Sequence, residues 1–288
     1  MATSAQEKVY LNGRILPTPR ARIDPGDRGL LLGDGVFETI GIWRGRPFHA
    51  NAHFDRLARG AANLGIEPPL DGAGLTDALH ETLAANRIER RDAAARVTLT
   101  RCAGGRGLSV ARDTPPTLVI STSPVTPLAD EPARVRVAEL RRNEHSPLAS
   151  IKSLNYLDSV LARAEAEAQG FDEAIVLNTA GRVASAAAGN LFVVGAGTLI
   201  TPPPEEGVLA GITRHAVLEL AAAAGIECAE RPVTLDELAG ADEAFLTNSL
   251  IGVRSLGVAS VPPGEVAFAA PGPITRRLRQ SLVTLFRD

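Results

Sequence analysis

A proline-rich stretch near the middle of the chain constrains the fold more than any other feature. Three prolines fall within residues 121–132. Proline has no backbone N–H and restricts the residue before it, so such a stretch interrupts helices and inner strands. With 288 residues the chain is long enough for two domains, each with its own core. We therefore predict an N-terminal domain over 1–122, a linker over 123–132 and a C-terminal domain over 133–288.

Both halves mix strand and helix patterns. Asn12-Gly13 separates two short apolar runs, a pattern typical of a tight β-hairpin. Apolar residues recur at helical spacing over 50–64, and an Ala- and Glu-rich segment over 157–169 ends at Gly170, a frequent helix terminator. The remaining expected helices cover 75–86, 209–224, a short segment from 235, and 273–286. One expected strand ends near Trp43, and the other longer ones cover 95–100, 117–120, 135–140, 174–177, 191–194 and 243–246. This mixture predicts an α+β fold in both halves and not a doubly wound parallel sheet.

Composition excludes several classes of function. Hydrophobic residues make up 45% of the chain and charged residues 22%, and the net charge of −3 gives no electrostatic basis for binding nucleic acid or a membrane surface. The first ten residues lack the apolar core of a secretory signal, and no apolar run reaches the roughly 18 residues of a membrane span. We expect a cytoplasmic protein. Cys102 and Cys228 have no metal-binding or disulfide spacing, so we expect two small core residues and no metal site.

Lysine is rare in this sequence. Among 30 basic side chains, lysine occurs only at Lys8 and Lys152. A guanidinium stays protonated, whereas a lysine amine loses its proton readily when buried and can form a Schiff base. Lys152 is therefore a candidate reactive residue, and its chance survival in an arginine-rich sequence is the alternative.

Four further features could carry chemistry, and the first three have a structural alternative. Arg56 lies one residue from the apolar stripe of its helix, so it is either solvated or turned inward toward a fixed anion. Gly211 and Thr213 open a helix, where backbone N–H groups and a hydroxyl suit an anion, although a simple cap explains them equally well. Arg106 stands among glycines and suits either carboxylate capture or a plain surface. The small residues of 181–190 would let the backbone lie close to a flat ligand.

The glycine-punctuated segment over 27–40 invites comparison with phosphate-binding loops. It contains neither GxGxxG nor GK[ST] spacing. We interpret it as a structural bend that leads into a strand ending near Trp43.

Five segments together resemble one family. GDGVFET, HFDRL, IKSLNYL, LAGIT and TNSLIGV follow one another along nearly the entire chain, and in this order they resemble the class IV aminotransferases, the fold-type IV enzymes that use pyridoxal 5′-phosphate. The resemblance implies a two-domain, D-amino-acid-aminotransferase-like α+β fold with the cofactor between the domains. It also implies a homodimer in which a second subunit completes the active site, and a small amine substrate that carries a carboxylate.

The resemblance also assigns roles to residues. Lys152 is similar to the Schiff-base lysine, which also serves as the proton-transfer base. The implied cofactor-binding residues are Arg56, Lys152, Tyr156, Ser185, Ile212, Thr213 and Ser249. The implied substrate-binding residues are Phe37, Arg106 and Asn248.

Ser185 departs from the family pattern. Most relatives have a glutamate there that pairs with the pyridine nitrogen and keeps it protonated, so that the ring can absorb electrons. A serine hydroxyl can hydrogen-bond the nitrogen but has no charge to hold its proton. The departure is compatible with a lyase, with a slow aminotransferase, or with a protein that binds the cofactor and has lost the chemistry.

Two loops favour a lyase. The GGRG of 104–107 and the NSL of 248–250 resemble aminodeoxychorismate lyases, whereas Gly107-Leu108 replaces the Ala-His that follows the loop arginine in D-amino-acid aminotransferases. Our first hypothesis is a lyase that converts 4-amino-4-deoxychorismate to 4-aminobenzoate and pyruvate, with Thr39 as a nearby candidate acid. The alternatives are transamination of a D- or branched-chain L-amino acid, and a non-enzymatic vitamin B6-binding or scaffold protein.

Overall fold

The computed structural model describes residues 7–104, 107–110, 114–125 and 131–287, which form two units. The first unit comprises Met1–Val125 and Ile151–Asn155, and the second comprises Thr126–Ser150 and Tyr156–Asp288. Helices and strands occur in both units, which confirms the α+β class.

The first unit is a six-stranded antiparallel sheet with the strand order β2-β1-β6-β5-β3-β4. Its elements are β1 (Lys8–Leu11), β2 (Arg14–Pro17), α1 (Arg28–Leu32), β3 (Gly35–Trp43), β4 (Arg46–Pro47), α2 (Ala50–Leu64), α3 (Gly72–Ala85), β5 (Ala93–Thr100) and β6 (Thr117–Pro124), with a 3₁₀ turn at Thr18–Arg20. Alternate residues of β3 and β5 pack with α2 and α3 in one hydrophobic core, to which Ile40, Val97, Phe54 and Leu79 contribute. The hairpin between β1 and β2 turns at Asn12 and Gly13, both with positive φ, as predicted.

The segment Ile151–Asn155 lies along the free edge of β3. The Phe37 N–H donates a hydrogen bond to the Lys152 carbonyl and the Leu154 N–H donates to the Gly35 carbonyl, each at 2.9 Å. Ile151 belongs to the hydrophobic core of the first unit. Lys152 is therefore part of the first unit, whereas the sequence-based boundary placed it in the C-terminal domain. Backbone pairing between segments more than a hundred residues apart leaves no local signal in the sequence.

The second unit contains a nine-stranded mixed sheet with the order β12-β11-β10-β13-β14-β7-β8-β9, and β15 also pairs with β14. Its strands are β7 (Ala133–Arg142), β8 (Glu173–Asn178), β9 (Val183–Ala186), β10 (Asn190–Gly195), β11 (Thr198–Thr201), β12 (Cys228–Glu230), β13 (Glu243–Asn248), β14 (Gly252–Val261) and β15 (Gly264–Ala267). Its helices are α4 (Leu157–Ala168), α5 (Ile212–Ala223), α6 (Leu235–Ala239) and α7 (Pro273–Arg287), with 3₁₀ turns at Pro147–Ser150 and Pro204–Glu206. Buried alanines let α4 pack closely on β7 and β8.

Three details differ from the sequence-based expectations. The expected linker begins inside β6, because residues up to Pro124 continue the ladder with β5 as far as the pair Ala93 and Pro124. Residues 126–130 of that linker lie outside the described ranges. Strand β14 was not expected, although it pairs with β7, β13 and β15. Cys102 is buried as predicted, but Cys228 is exposed.

Within the described ranges, no helix combines the length and the apolar character needed to cross a membrane. The same part of the chain contains no group of three or more His, Cys, Asp or Glu side chains arranged to hold a metal ion.

Candidate active site

The amine of Lys152 lies over an aromatic ring. Its Nζ is 4.4 Å from the centroid of Phe37 on β3, and the guanidinium carbon of Arg96 on β5 is 3.8 Å from the same centroid. A cation over a ring face is attracted by the negative charge density of that face. Phe37, expected at the substrate site, thus lies beside the lysine that the sequence singled out.

Glu38 lies on the opposite face of β3 and forms a buried cluster with α2. Its carboxylate accepts two hydrogen bonds from Arg56, from Nε to Oε1 and from Nη2 to Oε2, each at 2.7 Å. The Nδ1 of His53 lies 2.7 Å from Oε2. Glu38 and His53 are fully buried. Positions 53 and 56 are one helical turn apart on the face of α2 that packs against β3, so both side chains reach the same carboxylate. Arg56 is thus turned inward, one of the two alternatives that its spacing left open.

The charges of this cluster follow from its contacts. Burial raises the pKa of Glu38, but the hydrogen bonds from Arg56 and His53 outweigh it, and the net shift is downward. Burial also lowers the pKa of His53 by more than the Glu38 carboxylate raises it, and Arg56 and Lys152 lower it further. A carboxylate, a guanidinium and a neutral imidazole result. Within the described part of the chain, the buried Nε2 of His53 has no hydrogen-bond partner.

The start of α5 in the second unit has the features of an anion site. Gly211 is the N-cap residue, and no side chain caps the helix. The buried Oγ1 of Thr213 finds no hydrogen-bond partner among the residues that the structure describes. A Cβ at Gly211 would lie 2.0 Å from Oδ1 of Asn190, so only glycine fits there without displacing that side chain. Uncapped N–H groups, the helix dipole and a hydroxyl are what a phosphate group requires.

Residues beside this helix start support it. The Nδ2 of Asn190 donates to the Leu209 carbonyl at 2.9 Å and so holds the approach to α5. Asn190 on β10 pairs directly with Thr247 on β13, and the buried Oγ1 of Thr247 is another hydroxyl without a partner in the described ranges. Thr247 was not among the predicted site residues, because only the cross-strand register reveals its position beside Asn190.

The turn between β13 and β14 carries Ser249. The Oδ1 of Asn248 accepts hydrogen bonds from the N–H groups of Leu250 and Ile251, both at 2.9 Å, and its Nδ2 donates to the Ala188 carbonyl at 2.8 Å. Asn248 therefore orders the turn that presents Ser249, and its contact with substrate stays a prediction.

Strand β9 presents Ser185 in an apolar setting. All four residues of the strand are buried, and none is acidic. The Ser185 hydroxyl donates to the Ala186 carbonyl at 2.8 Å.

Tyr156 is the N-cap residue of α4. Burial lowers the pKa of Arg142 by more than the nearby Tyr156 and Asp158 raise it, so the net shift of that pKa is downward. Arg106, the expected carboxylate ligand, lies outside the described residues.

The glycine-punctuated bend that precedes β3 is held by two carboxylates. Asp27 accepts hydrogen bonds from the Gly29 N–H and from the hydroxyls of Thr100 and Thr117, at 2.8 to 2.9 Å. These contacts agree with a structural bend.

Asp34, in the same bend, pairs with two arginines. It accepts from Nε of Arg28 and Nε of Arg101, both at 2.8 Å. Burial raises the pKa of Asp34, but these two arginines lower it by more. Arg28 also donates to the Gly107 and Ser109 carbonyls, so it anchors residues 107–109 in the segment between β5 and β6.

Comparison with known proteins identifies the family. The profile described as Amino-transferase class IV matches residues 35–257. Class IV aminotransferases use pyridoxal 5′-phosphate, as the resemblance implied, and solved relatives include complexes with pyridoxamine 5′-phosphate and N-(5′-phosphopyridoxyl)-L-glutamate. The chain belongs to the class IV aminotransferase family.

Relatives with different activities cover most of the chain. A putative branched-chain-amino-acid aminotransferase of Methanocaldococcus jannaschii is 38% identical over 95% of this chain and 94% of its own length. A D-alanine aminotransferase of Bacillus licheniformis is 32% identical over 96% and 95%, and an aminodeoxychorismate lyase of Bacillus subtilis is 30% identical over 85% and 84%.

Solved structures share the fold. The branched-chain aminotransferase of Thermoproteus uzoniensis with norvaline has a TM-score of 0.91 and 32% identity over 98% of this chain and 95% of that one. The 4-amino-4-deoxychorismate lyase of Pseudomonas aeruginosa has a TM-score of 0.83 and 32% identity over 96% and 98%. The fold is thus common to transferases and lyases and does not by itself select an activity.

Proposed function

We propose that this protein is a pyridoxal-phosphate-dependent lyase that converts 4-amino-4-deoxychorismate to 4-aminobenzoate and pyruvate. The observation that carries the proposal is the hydroxyl of Ser185 on a buried strand without a carboxylate, at the position where the family resemblance implies the partner of the cofactor's ring nitrogen.

The residues present fit the cofactor. For its phosphate group we propose the uncapped start of α5 with Ile212 and Thr213, together with Ser249 in the β13–β14 turn. The buried hydroxyl of Thr213, which has no partner among the described residues, supports this assignment. From the first unit we propose Arg56 for the same group, and Lys152 as the covalent anchor. Bound pyridoxal phosphate would supply a ring that withdraws electrons from the substrate carbon bearing the amine.

The chain's own groups favour elimination over transamination. Lys152 would remove the proton from the carbon that bears the amine, as a general base held beside Phe37. The C–O bond to the enolpyruvyl group would then break, the group would leave with the electron pair and take up a proton to become pyruvate, and the ring would become aromatic, which supplies the driving force. Transamination instead requires the ring to store electrons and return them, which a charged partner at the nitrogen assists and an uncharged hydroxyl does not.

Transamination of a D- or branched-chain L-amino acid is the second candidate, because the 38% identical relative is named as a putative branched-chain aminotransferase. Protein loaded with pyridoxal phosphate should release 4-aminobenzoate from 4-amino-4-deoxychorismate. Conversion of an amino acid and a 2-oxo acid without any release of 4-aminobenzoate would replace the lyase with the transferase. Turnover of neither substrate class would favour a cofactor-binding protein without catalysis.

The variant Ser185→Glu separates the two activities. A large gain in transamination would mean that Ser185 limits it. A loss of lyase turnover would mean a site adapted to the serine.

We also propose that the protein is a cytoplasmic homodimer acting on a small amine with a carboxylate. The support for a dimer is apolar exposure. Leu30 and Leu31 on α1, and Leu157, Val160 and Leu161 on α4, are more than half exposed, and a second copy of the chain would cover such surfaces. Sedimentation equilibrium should give twice the chain mass of 30.2 kDa; a single-chain mass at micromolar concentration would contradict the dimer.

A further inference from the structure

The segment that carries Lys152 is held at its end by a side chain. Two backbone hydrogen bonds pair the segment Ile151–Asn155 with the start of β3. At the last residue of the segment, Nδ2 of Asn155 donates to the Gly33 carbonyl at 3.1 Å. The backbone N–H of Asn155 donates to the Ser153 hydroxyl at 3.4 Å, which orients the same residue from within the segment. Three hydrogen bonds thus join the lysine segment to residues 33–37, and one of them depends on a side chain.

The bend before β3 has a glycine where Asn155 approaches it. Gly33 ends α1 with a φ of +66°, a left-handed conformation that residues with a Cβ rarely adopt. A Cβ at this position would lie 2.8 Å from Oδ1 of Asn155. The glycine therefore permits both the turn of its own backbone and the close approach of the amide.

The chain leaves the first unit after Asn155, because Tyr156 begins the second unit. The ends of such segments open locally more often than the core of a domain. The Asn155 side chain is solvent-exposed, so its hydrogen bond contributes little to global stability and acts mainly on the segment that it closes. Lys152 lies three residues before this end, with its Nζ 4.4 Å from the Phe37 centroid. The place of that amine over the ring therefore depends on how firmly the end of the segment is held.

We propose that Asn155 is a positioning residue for Lys152. By binding the Gly33 carbonyl, it closes the lysine segment onto the first unit and fixes the place of the amine. The proposal rests on the proposed function, in which Lys152 is the reacting amine. It deepens that function, because it names the side chain that holds the lysine in place both as the cofactor's anchor and as the base.

The test follows the covalent capture of Lys152 after pyridoxal phosphate is added to the full chain. The C=N bond forms with loss of one water, and absorbance gives the limiting rate of this step and the cofactor concentration at half that rate. In Asn155→Ala the limiting rate should fall about tenfold, because a displacement of about 1 Å can cost a hundredfold and two of the three hydrogen bonds remain. The half-saturating concentration should change less than about twofold, because the proposed phosphate ligands are unaltered. A role confined to stability would leave the limiting rate of the folded protein unchanged.

Hydrogen exchange measures the same contact without cofactor. The Leu154 N–H, which donates to the Gly35 carbonyl, should exchange about fivefold faster in Asn155→Ala, the factor expected for the loss of one hydrogen bond of ordinary net strength. The control Asn63→Ala removes another exposed asparagine side chain of the first unit and should change neither the exchange nor the capture. Far-ultraviolet circular dichroism should show that all variants are folded.

Gly33→Ala perturbs the contact from its other side. Its Cβ should displace the Asn155 side chain and slow the capture about tenfold. The double variant Gly33→Ala/Asn155→Ala should also be about tenfold slower and not a hundredfold, because both changes remove one hydrogen bond. The control Gly65→Ala has the same φ of +66°, but its Cβ meets no described atom within 4 Å, so it should leave the rate unchanged.

The outcomes separate the inference from the proposed function. An unchanged limiting rate in Asn155→Ala, or a hundredfold loss in the double variant, overturns the role of Asn155 even when 4-aminobenzoate is formed. Faster exchange at Leu154 with an unchanged limiting rate means a structural contact only and also overturns it. Slower capture in a protein that releases no 4-aminobenzoate supports the positioning role and refutes the lyase. When turnover is present, Asn155→Ala should lower kcat about tenfold and change KM less than about twofold.

Discussion

Replacing Glu38 with glutamine should destabilise the first unit substantially. Glu38→Gln keeps the shape of the side chain but removes the charge that faces Arg56 and His53. Removing one partner of a buried ion pair costs about 3–5 kcal/mol. Arg56 retains 11% exposure, so water can solvate part of its guanidinium, and the glutamine oxygen can still accept one hydrogen bond. We therefore expect the lower end of that range, about 3 kcal/mol of unfolding free energy.

Trp43 provides the assay. It is the only tryptophan of the chain and lies on β3, the strand that carries Glu38. Urea unfolding followed by its fluorescence therefore reports on the first unit. The control is Glu67→Gln, an exposed carboxylate of the same unit, which should change the unfolding free energy by less than about 0.5 kcal/mol. A loss below about 1 kcal/mol for Glu38→Gln would refute the view that this cluster is a buried ion pair that stabilises the unit.

Three further predictions follow from single contacts. Burial lowers the pKa of His53 in the folded state, so below the ordinary histidine pKa the unfolded chain binds more protons than the folded one. Urea titrations should therefore show that the free energy of unfolding decreases as the pH is lowered through that range. An equally steep decrease in His53→Gln would contradict this. The pKa of Glu144 is lowered to about 2 by hydrogen bonds from its own backbone N–H and from the Thr179 hydroxyl. An NMR titration should find that pKa, and Thr179→Val should raise it. An unchanged pKa in the variant would rule out the hydroxyl as a cause. Gly211→Ala should weaken pyridoxal phosphate binding at least about tenfold, because its Cβ meets Asn190. Gly195→Ala should not, because its Cβ meets no described atom within 4 Å. Equal affinities in a fluorescence titration would remove the α5 start from the phosphate site.

Local patterns in the sequence predict local structure well in this chain. The helix over 50–64 was predicted with the bounds that α2 has, because its apolar stripe is regular and Gly65 follows with the positive φ of a helix terminator. The Asn12-Gly13 hairpin is confirmed for the same kind of reason: both residues adopt the positive φ that the turn demands.

The sequence predicts strand pairing less well than local structure. The residues of β14 are buried on both sides at irregular positions, so no alternation of apolar and polar residues marks the strand. The expected linker overlaps β6 because its prolines were interpreted as loop residues, although pairing with β5 holds residues up to Pro124 in the strand. Contacts with a neighbouring strand decided both cases.

At the candidate site, too, local patterns identify some residues and long-range contacts reveal the others. Lys152 stands out by its rarity and Arg56 by its place beside an apolar stripe, so both could be selected from the sequence. That Glu38 is the partner of Arg56 could not, because the two residues are 18 positions apart on a strand and a helix. The contact of Arg96 with the Phe37 ring, and the Thr247 hydroxyl that has no partner in the described part of the chain, likewise depend on register between strands.

Covalent labelling shows whether Lys152 is the reacting amine. The protein is incubated with pyridoxal phosphate, reduced with borohydride, digested and examined by mass spectrometry. Lys8, the only other lysine, serves as the internal control. We predict a pyridoxyl label on Lys152 at about one per chain, its loss in Lys152→Arg, and its retention in Lys8→Arg. Labelling of Lys8 alone, or none on Lys152 under conditions in which the cofactor binds, would contradict it.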